Sequence, residues 1–299
     1  MKNNIWYDRY LVLKDRIKRK KNKLLYFNQL KKIKVKNTDE TLDRILNGNY
    51  SVLRLGDGEL NLIFGENLKF QNYNESLERE LREVLIDNNK ELLVCLPDIF
   101  NGLDIYTEKA KKFWLEYLER KINKILKVID MEKVYYDTQI SRFYIDVSNK
   151  KKVKERIDKI KKIWQGQEII LVEGEKSRLG VGNDLFKNAQ KIERILCPSH
   201  QAYSIIDKIE KRVLKENKNK LIFLALGPTA TVLGYRLFKK GYRVLDIGHI
   251  DIEYEWYLKG VQEKIAIDKK YIGEVSSLEA IEEYRDKEYE EQILDKILN

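Results

Sequence analysis

Four short stretches, each following an apolar run, hold the residues best suited to chemistry. Residues 172–186 read VEGEKSRLGVGNDLF. Here Gly174, Ser177, Gly180 and Gly182 surround Lys176 and Arg178, and the stretch closes on Asn183-Asp184 before Leu185-Phe186. A buried strand, a glycine-rich turn, capping residues and an apolar helix start would present backbone N–H groups to an anion. Arg178 and Lys176 would add charge-assisted bonds to a phosphate. An ordinary tight loop would carry the same glycines.

The second stretch is Arg54-Leu-Gly56-Asp57-Gly58-Glu59. In extended backbone Asp57 and Glu59 face the same side, about 7 Å apart at Cα. Two carboxylates so placed suit a hard divalent cation that also takes phosphate oxygens, with Arg54 near enough to meet a phosphate. A plain Asp-Gly turn is the simpler reading of the same residues. Gly227-Pro228-Thr229 predicts a helix N-terminus at a strand end, whose free N–H groups favour an anion. His249, Asp251 and Glu253 alternate, so in strand-like backbone all three face one side and supply candidates for a general base. There is no GxxxxGK[ST] and no GxGxxG, which argues against a P-loop ATPase and a dinucleotide fold. With only His200 and His249, and Cys95 and Cys197 scattered in apolar runs, a four-ligand zinc site is not supported.

These stretches must be positioned by the elements between them. Ser51–Leu55, Glu91–Leu96, Glu168–Val172, Ile192–Cys197, Leu221–Leu226 and Arg243–Ile247 read as buried strands. Helices are predicted from Thr38 (as N-cap) to Leu46, Glu75 (capped by Asn74) to about Asn88, Asp104 to Ile129, Lys151 to Trp164, and after Gly227 as far as Gly241. Thr138 to Val147 has β-type residues. Ser276 and Glu279 form a capping box for a charged helix reaching Leu298. Apolar strands alternating with helices predict an α/β fold: a Rossmann-like, mainly parallel sheet with helices on both faces, plus helical N- and C-terminal extensions. Ligands then bind outside the carboxyl ends of the strands, where all four stretches converge.

The net charge of +10 is unevenly spread. Residues 1–36 hold 13 basic and two acidic residues, leaving 45 basic and 46 acidic groups in the other 263. The body is therefore not a nucleic-acid surface, and no nucleic acid is expected. The basic, amphipathic helical segment 1–36 is suited to an anionic membrane surface or a partner, or to packing on the domain at residues 37–275. Hydrophobic content of 43% describes a globular protein, and no apolar run approaches the ~18 residues a bilayer demands. The expected location is the cytoplasm, at the inner face of the cell membrane if the N-terminus docks there.

Together RLGDGE (54–59), QISRFY (139–144), VEGEKSRLGVGNDLF (172–186), PSHQAY (198–203), LALGPTATVLGY (224–235) and LDIGHIDIEYEW (245–256) resemble the bacterial glycosyltransferases of the GT-D fold, formerly domain of unknown function 1792. The resemblance runs through most of residues 38–260. It implies a D-x-E metal motif at Asp57 and Glu59, Mn²⁺ (or Mg²⁺), a UDP-sugar donor, and a glycan acceptor on a glycoprotein or lipid-linked oligosaccharide. On this reading Arg54, Gly56, Gly58, Arg142, Glu173, Gly174, Ser177, Arg178, Gly180, Gly182, Asn183, Asp184, Gly227, Pro228 and Thr229 hold the donor. An acceptor hydroxyl attacks with inversion, deprotonated by one of His249, Asp251 and Glu253. The competing expectations are an inactive scaffold subunit of a glycosylation complex and, from the basic N-terminus, a nucleic-acid-binding protein.

Overall fold

A computed structural model of the chain describes residues 28–276, 278, 281 and 286–298. The basic N-terminal reading falls mostly on residues 1–27, outside that range. Leu30 and Ile33 are fully buried in the domain core, and β1 (Lys34–Val35) is already part of the sheet.

The chain then runs through α1 (Thr38–Leu46), β2 (Ser51–Arg54), α2 (Asp57–Ile63), α3 (Glu75–Ile86), β3 (Leu92–Leu96), α4 (Glu108–Val128), β4 (Val134–Asp137) and α5 (Val153–Ile163). It continues through β5 (Glu168–Gly174), β6 (Lys191–Cys197), α6 (Ile206–Val213), β7 (Leu221–Ala225), α7 (Pro228–Lys239), β8 (Val244–Asp246), α8 (Ile250–Lys259), α9 (Lys287–Glu291) and β9 (Ile293–Lys296). The strands form one parallel sheet in the order β1-β4-β3-β2-β8-β7-β5-β6-β9.

Strand periodicity divides the apolar residues between two cores. Leu53, Val94, Val172 and Leu224 face α3, α4, α6 and α7, while their neighbours Val52, Leu93, Leu171 and Phe223 face α1, α5 and α8. This two-sided burial explains why the central strands are continuously apolar rather than alternating.

Four expectations are corrected. Asn37, not Thr38, caps α1: its Oδ1 accepts from Glu40 N–H at 3.0 Å, and Glu40 Oε2 accepts from Asn37 N–H at 3.1 Å. Thr38 instead donates its hydroxyl to Asp137 at the end of β4, at 2.6 Å. The β-type residues of 138–147 begin with a 3-10 turn, Thr138–Ser141; the strand is β4 before them. No helix follows the glycine loop, and residues 175–190 cross from β5 to β6 in turns, so Asn183 and Asp184 cap nothing. The predicted C-terminal helix is only α9; Ile293–Lys296 form β9, an edge strand beside β6. The burial of β9 alternates, and its Asp295 pairs with Arg212 at 2.9 Å. Glu279, the other half of the expected capping box, lies outside the described residues, while Ser276 Oγ accepts from Ile272 N–H at 2.8 Å. Among the described residues, no helix is long and apolar enough to cross a membrane.

One junction positions the site. β2 and β8 are neighbours, Val52 opposite Leu245. The chain leaves β2 into α2 on one face and leaves β8 into α8 on the other. Adjacent parallel strands whose connections depart to opposite faces leave a crevice at their carboxyl ends.

Candidate active site

Arg54 ends β2 and Asp246 ends β8. Arg54 donates from Nε to the Asp246 carbonyl at 2.9 Å and from Nη2 to its carboxylate at 2.8 Å. Thr231 of α7 donates its hydroxyl to the Arg54 carbonyl at 2.9 Å. The guanidinium lies across Gly248, whose φ is +44° and whose missing side chain leaves the room it occupies. Arg54 therefore braces the floor of the crevice.

Asp57 and Glu59 open onto it, with a changed geometry. They are the first and third residues of α2, not extended, so their side chains leave the helix about 200° apart. Glu59 turns back to accept from Gly56 N–H at 2.7 Å. Burial, and after it the Asp246 charge, raise its carboxyl to about 7. Asp57 is raised by burial and held down by Arg142, and it also feels the charges of Glu274 and Lys264. No side chain among the described residues donates a hydrogen bond to its carboxylate. Gly56 sits tightly under Glu59, and Gly58 under Leu68.

Opposite Asp57 stand Arg142, just after β4, and His249, the N-cap of α8. Arg142 Nη2 approaches His249 Nδ1 at 3.2 Å and donates to Glu274 Oε1. Burial and the neighbouring guanidinium hold the imidazole down to about 3, so it is neutral at ordinary pH. With Nδ1 facing Arg142, the tautomer assigned by these contacts carries its proton on Nε2.

The alternation of His249, Asp251 and Glu253 is overturned by the helix that starts at Ile250. Asp251 is fully buried and accepts from Gly180 N–H at 2.9 Å, Asn183 Nδ2 at 2.8 Å and Lys270 Nζ at 2.7 Å. Glu253 accepts from the N–H groups of Tyr144 and Ile145 at 2.8 and 2.9 Å, and burial raises it to about 7. Both hold loops in place; only His249 of the three reaches the rim.

Much of the glycine loop is likewise committed to the protein. Glu173 accepts from Arg194 and from Leu179 N–H, and Arg178, at φ +50°, donates to the Lys269 carbonyl. Asn183 bridges Asp251 and Glu255, and Asp184 accepts from Lys161 and Tyr254. Gly180 lies against the Phe186 ring, and Gly182, at φ +79°, is open. Gly174 and Ser177 remain at the end of β5, beside a buried Ser199 hydroxyl that has no partner among the described residues. At the start of α7, Gly227 lies under the Phe70 ring, Pro228 is the first helical residue and Thr229 Oγ1 reaches Gln71 at 3.4 Å.

This arrangement coincides with a known family. The model described as "Glycosyltransferase GT-D fold" matches residues 52–275, the span that carries the crevice. The chain belongs to the GT-D glycosyltransferase family. It is similar to a solved structure described as a highly conserved domain of unknown function 1792 with a distinct glycosyltransferase fold (TM-score 0.89, 40% identity, covering 92% of this chain and 99% of that one). It is also similar to "A New Glycosyltransferase (DUF1792) from Streptococcus sanguinis" (TM-score 0.85, 40% identity, 89% and 99% covered). Among curated relatives, "Glycosyltransferase GlyD" of Streptococcus pneumoniae is 41% identical over 268 residues, and "Probable glycosyl transferase Gly" of Streptococcus gordonii is 42% identical over 265. These alignments take in 89% and 88% of this chain but 33% and 39% of the relatives, so the chain spans little more than a third of their length.

In this GT-D chain the sequence reading missed Asp246, Gly248, Thr231, Glu274 and the Lys270–Asp251–Glu255 cluster. Asp246 and Gly248 were visible as a carboxylate and a glycine closing the VLDIG strand. Glu274 and Lys270 follow no strand end and carry no local signal.

Proposed function

We propose that this chain transfers a hexosyl group, glucose or a relative, from a UDP-sugar to a hydroxyl of a glycan acceptor in surface glycoprotein or polysaccharide synthesis. The observation that carries this reading is the crevice between β2 and β8, where Asp57 opens opposite the Arg142–His249 pair. Asp57 has no side-chain donor among the described residues, and Glu59 is raised first by burial and then by the Asp246 charge. Carboxylates whose charge is penalised by burial gain from a cation, so Mn²⁺ or Mg²⁺ fits at Asp57, with Glu59 joining as a ligand once it turns from Gly56 N–H. The chemistry supplied by that cation when bound is neutralisation of the departing diphosphate.

The chain's own residues do the rest. Arg142 offers a guanidinium to a diphosphate oxygen, while Gly174, Ser177 and the Gly227 turn line the adjacent strand ends. Arg54 fixes the distance between the β2 and β8 ends. An acceptor oxygen attacks the anomeric carbon as its bond to the UDP oxygen breaks, inverting the centre. The acceptor's proton passes to His249 at Nδ1 when Arg142 turns to the diphosphate, a move that also removes the guanidinium's part of the lowering that leaves the resting imidazole a weak base. Asp251 and Glu253, engaged by loops, position α8 and the glycine loop.

A second reading, a scaffold subunit without turnover, draws on the burial of those two carboxylates. One experiment separates the two: thermal stability with UDP, Mn²⁺ and both, then a screen of UDP-sugars for hydrolysis and transfer. Stabilisation that needs both ligands, with release of one sugar, is the expected result. Binding without turnover of any donor would favour the scaffold.

A further inference from the structure

A turn at residues 272–276, beyond α8, places an acid inside this crevice. Val275 and Ser276 N–H both donate to the Ile272 carbonyl, at 3.0 and 2.9 Å, closing a turn with Gly273 and Glu274 at its tip. The base of the turn is fixed: Ile267 and Ile272 are buried, and Lys270 is in a buried pair with Asp251 and Glu255. Glu274 reaches forward from that base. Its Oε1 accepts from Arg142 and lies 3.6 Å from His249 Nε2, and its Oε2 meets Lys264 at 2.7 Å. The Glu274 side chain remains 31% exposed, Arg142 23% and His249 35%, so the cluster is open to solvent and to a ligand.

Carboxylate and phosphate oxygens make the same charge-assisted bonds to a guanidinium. We propose that Glu274 is an internal competitor for the donor's diphosphate: it occupies the anion seat of Arg142 and must leave before a phosphate oxygen takes its place. This rests on the donor reading above and adds the residue that sets donor affinity. A protein whose binding-competent form is only a fraction of the total binds more weakly by that fraction. A seat open about a tenth of the time costs about tenfold in apparent affinity.

The test is calorimetric titration of the full chain with UDP and, separately, with inorganic pyrophosphate, each in the presence of Mg²⁺. Glu274→Gln and Glu274→Ala are expected to bind UDP about tenfold more tightly than the parent chain. Asp146→Asn removes the same charge beside Lys264, 3.4 Å from Asp146, and Asp146 feels Arg142 through charge but does not occupy its hydrogen-bonding seat; it is expected to leave UDP affinity within about twofold. In an Arg142→Gln background, Glu274→Gln is expected to change nothing. Equal or weaker binding by both Glu274 variants, each melting as a folded protein, would overturn the proposal, as would a matching gain in Asp146→Asn. Tighter pyrophosphate binding without UDP binding would keep the competitor and sink the uridine donor. No binding of either anion by any variant would overturn both.

Discussion

A methyl group added at Gly248 would sit 1.9 Å from Nη2 of Arg54, on a backbone that L side chains rarely adopt. Two costs are then combined, a left-handed residue and an overpacked site, each about 1 to 3 kcal/mol. Gly248→Ala is therefore expected to destabilise the protein by roughly 2 to 6 kcal/mol in denaturant unfolding. Much of the overpacking share should vanish when Arg54 is already Ala, a non-additivity that a double-mutant cycle reads directly. Additive losses would mean that the guanidinium does not lie across the glycine. Asp57 behaves differently because its carboxylate accepts from no side chain among the described residues. Asp57→Asn is expected to melt at the parent temperature or slightly above it, since burial already disfavours the charge. Mn²⁺-dependent transfer should nevertheless fall by about 100-fold or more, about 2.7 kcal/mol of barrier. Full metal-dependent activity in that variant would remove Asp57 from the metal site.

The glycine loop and α8 form one unit, joined by side chains rather than by a helix. Asn183 donates to both Asp251 and Glu255 from one amide nitrogen, and Lys270 meets the same two acids from the other side. Removing the amide leaves two acids short of a donor, and each such loss costs about 1 to 3 kcal/mol. Asn183→Ala is expected to lower stability by about 2 kcal/mol and to raise hydrogen exchange at Gly180, whose N–H Asp251 accepts. Unchanged exchange there would show that the loop is held by its turns alone. This unit also marks what the sequence could reveal. Strands such as Leu92–Leu96 and Leu221–Ala225 are buried on both faces and stand out as apolar runs; Asn74 and Gly227 announce helix starts. The loop after Gly174 had the composition of an anion cradle, yet Arg178, Asn183 and Asp184 serve partners 68 to 91 residues away. Glycine content reports backbone freedom and says nothing of where neighbouring polar groups find partners. For the same reason Asp57 and Glu59 were placed correctly at a strand end but in the wrong backbone, because the helix begins one residue past Gly56.

The whole molecule carries acids raised on folding whose titration opposes that of His249. Glu59, Asp137 and Glu253 are each raised to about 7, chiefly by burial. A carboxyl raised on folding contributes stability below its unfolded value and loses it as pH rises through the folded one. These three should therefore erode stability between about pH 4.5 and 8. His249, lowered to about 3, acts in the other direction: its contribution is complete above the unfolded value near 6.5 and is lost as pH falls towards 3. Asp39, drawn down to about 2 chiefly by its Arg156 hydrogen bond, adds to the loss on the acid side. Three such acids outweigh one imidazole between about pH 4.5 and 6.5, so melting temperature is expected to peak near pH 4 to 5, below the usual neutral optimum, and to decline on both sides. Glu253→Gln should flatten the alkaline limb, because the amide keeps an oxygen for Tyr144 and Ile145 N–H without a charge to bury. Saturating Mn²⁺ should flatten it as well if the cation binds at Glu59, through which part of that limb arises. A limb flattened by Glu253→Gln but indifferent to Mn²⁺ would locate the buried-acid penalty away from the crevice and count against Glu59 as a metal ligand.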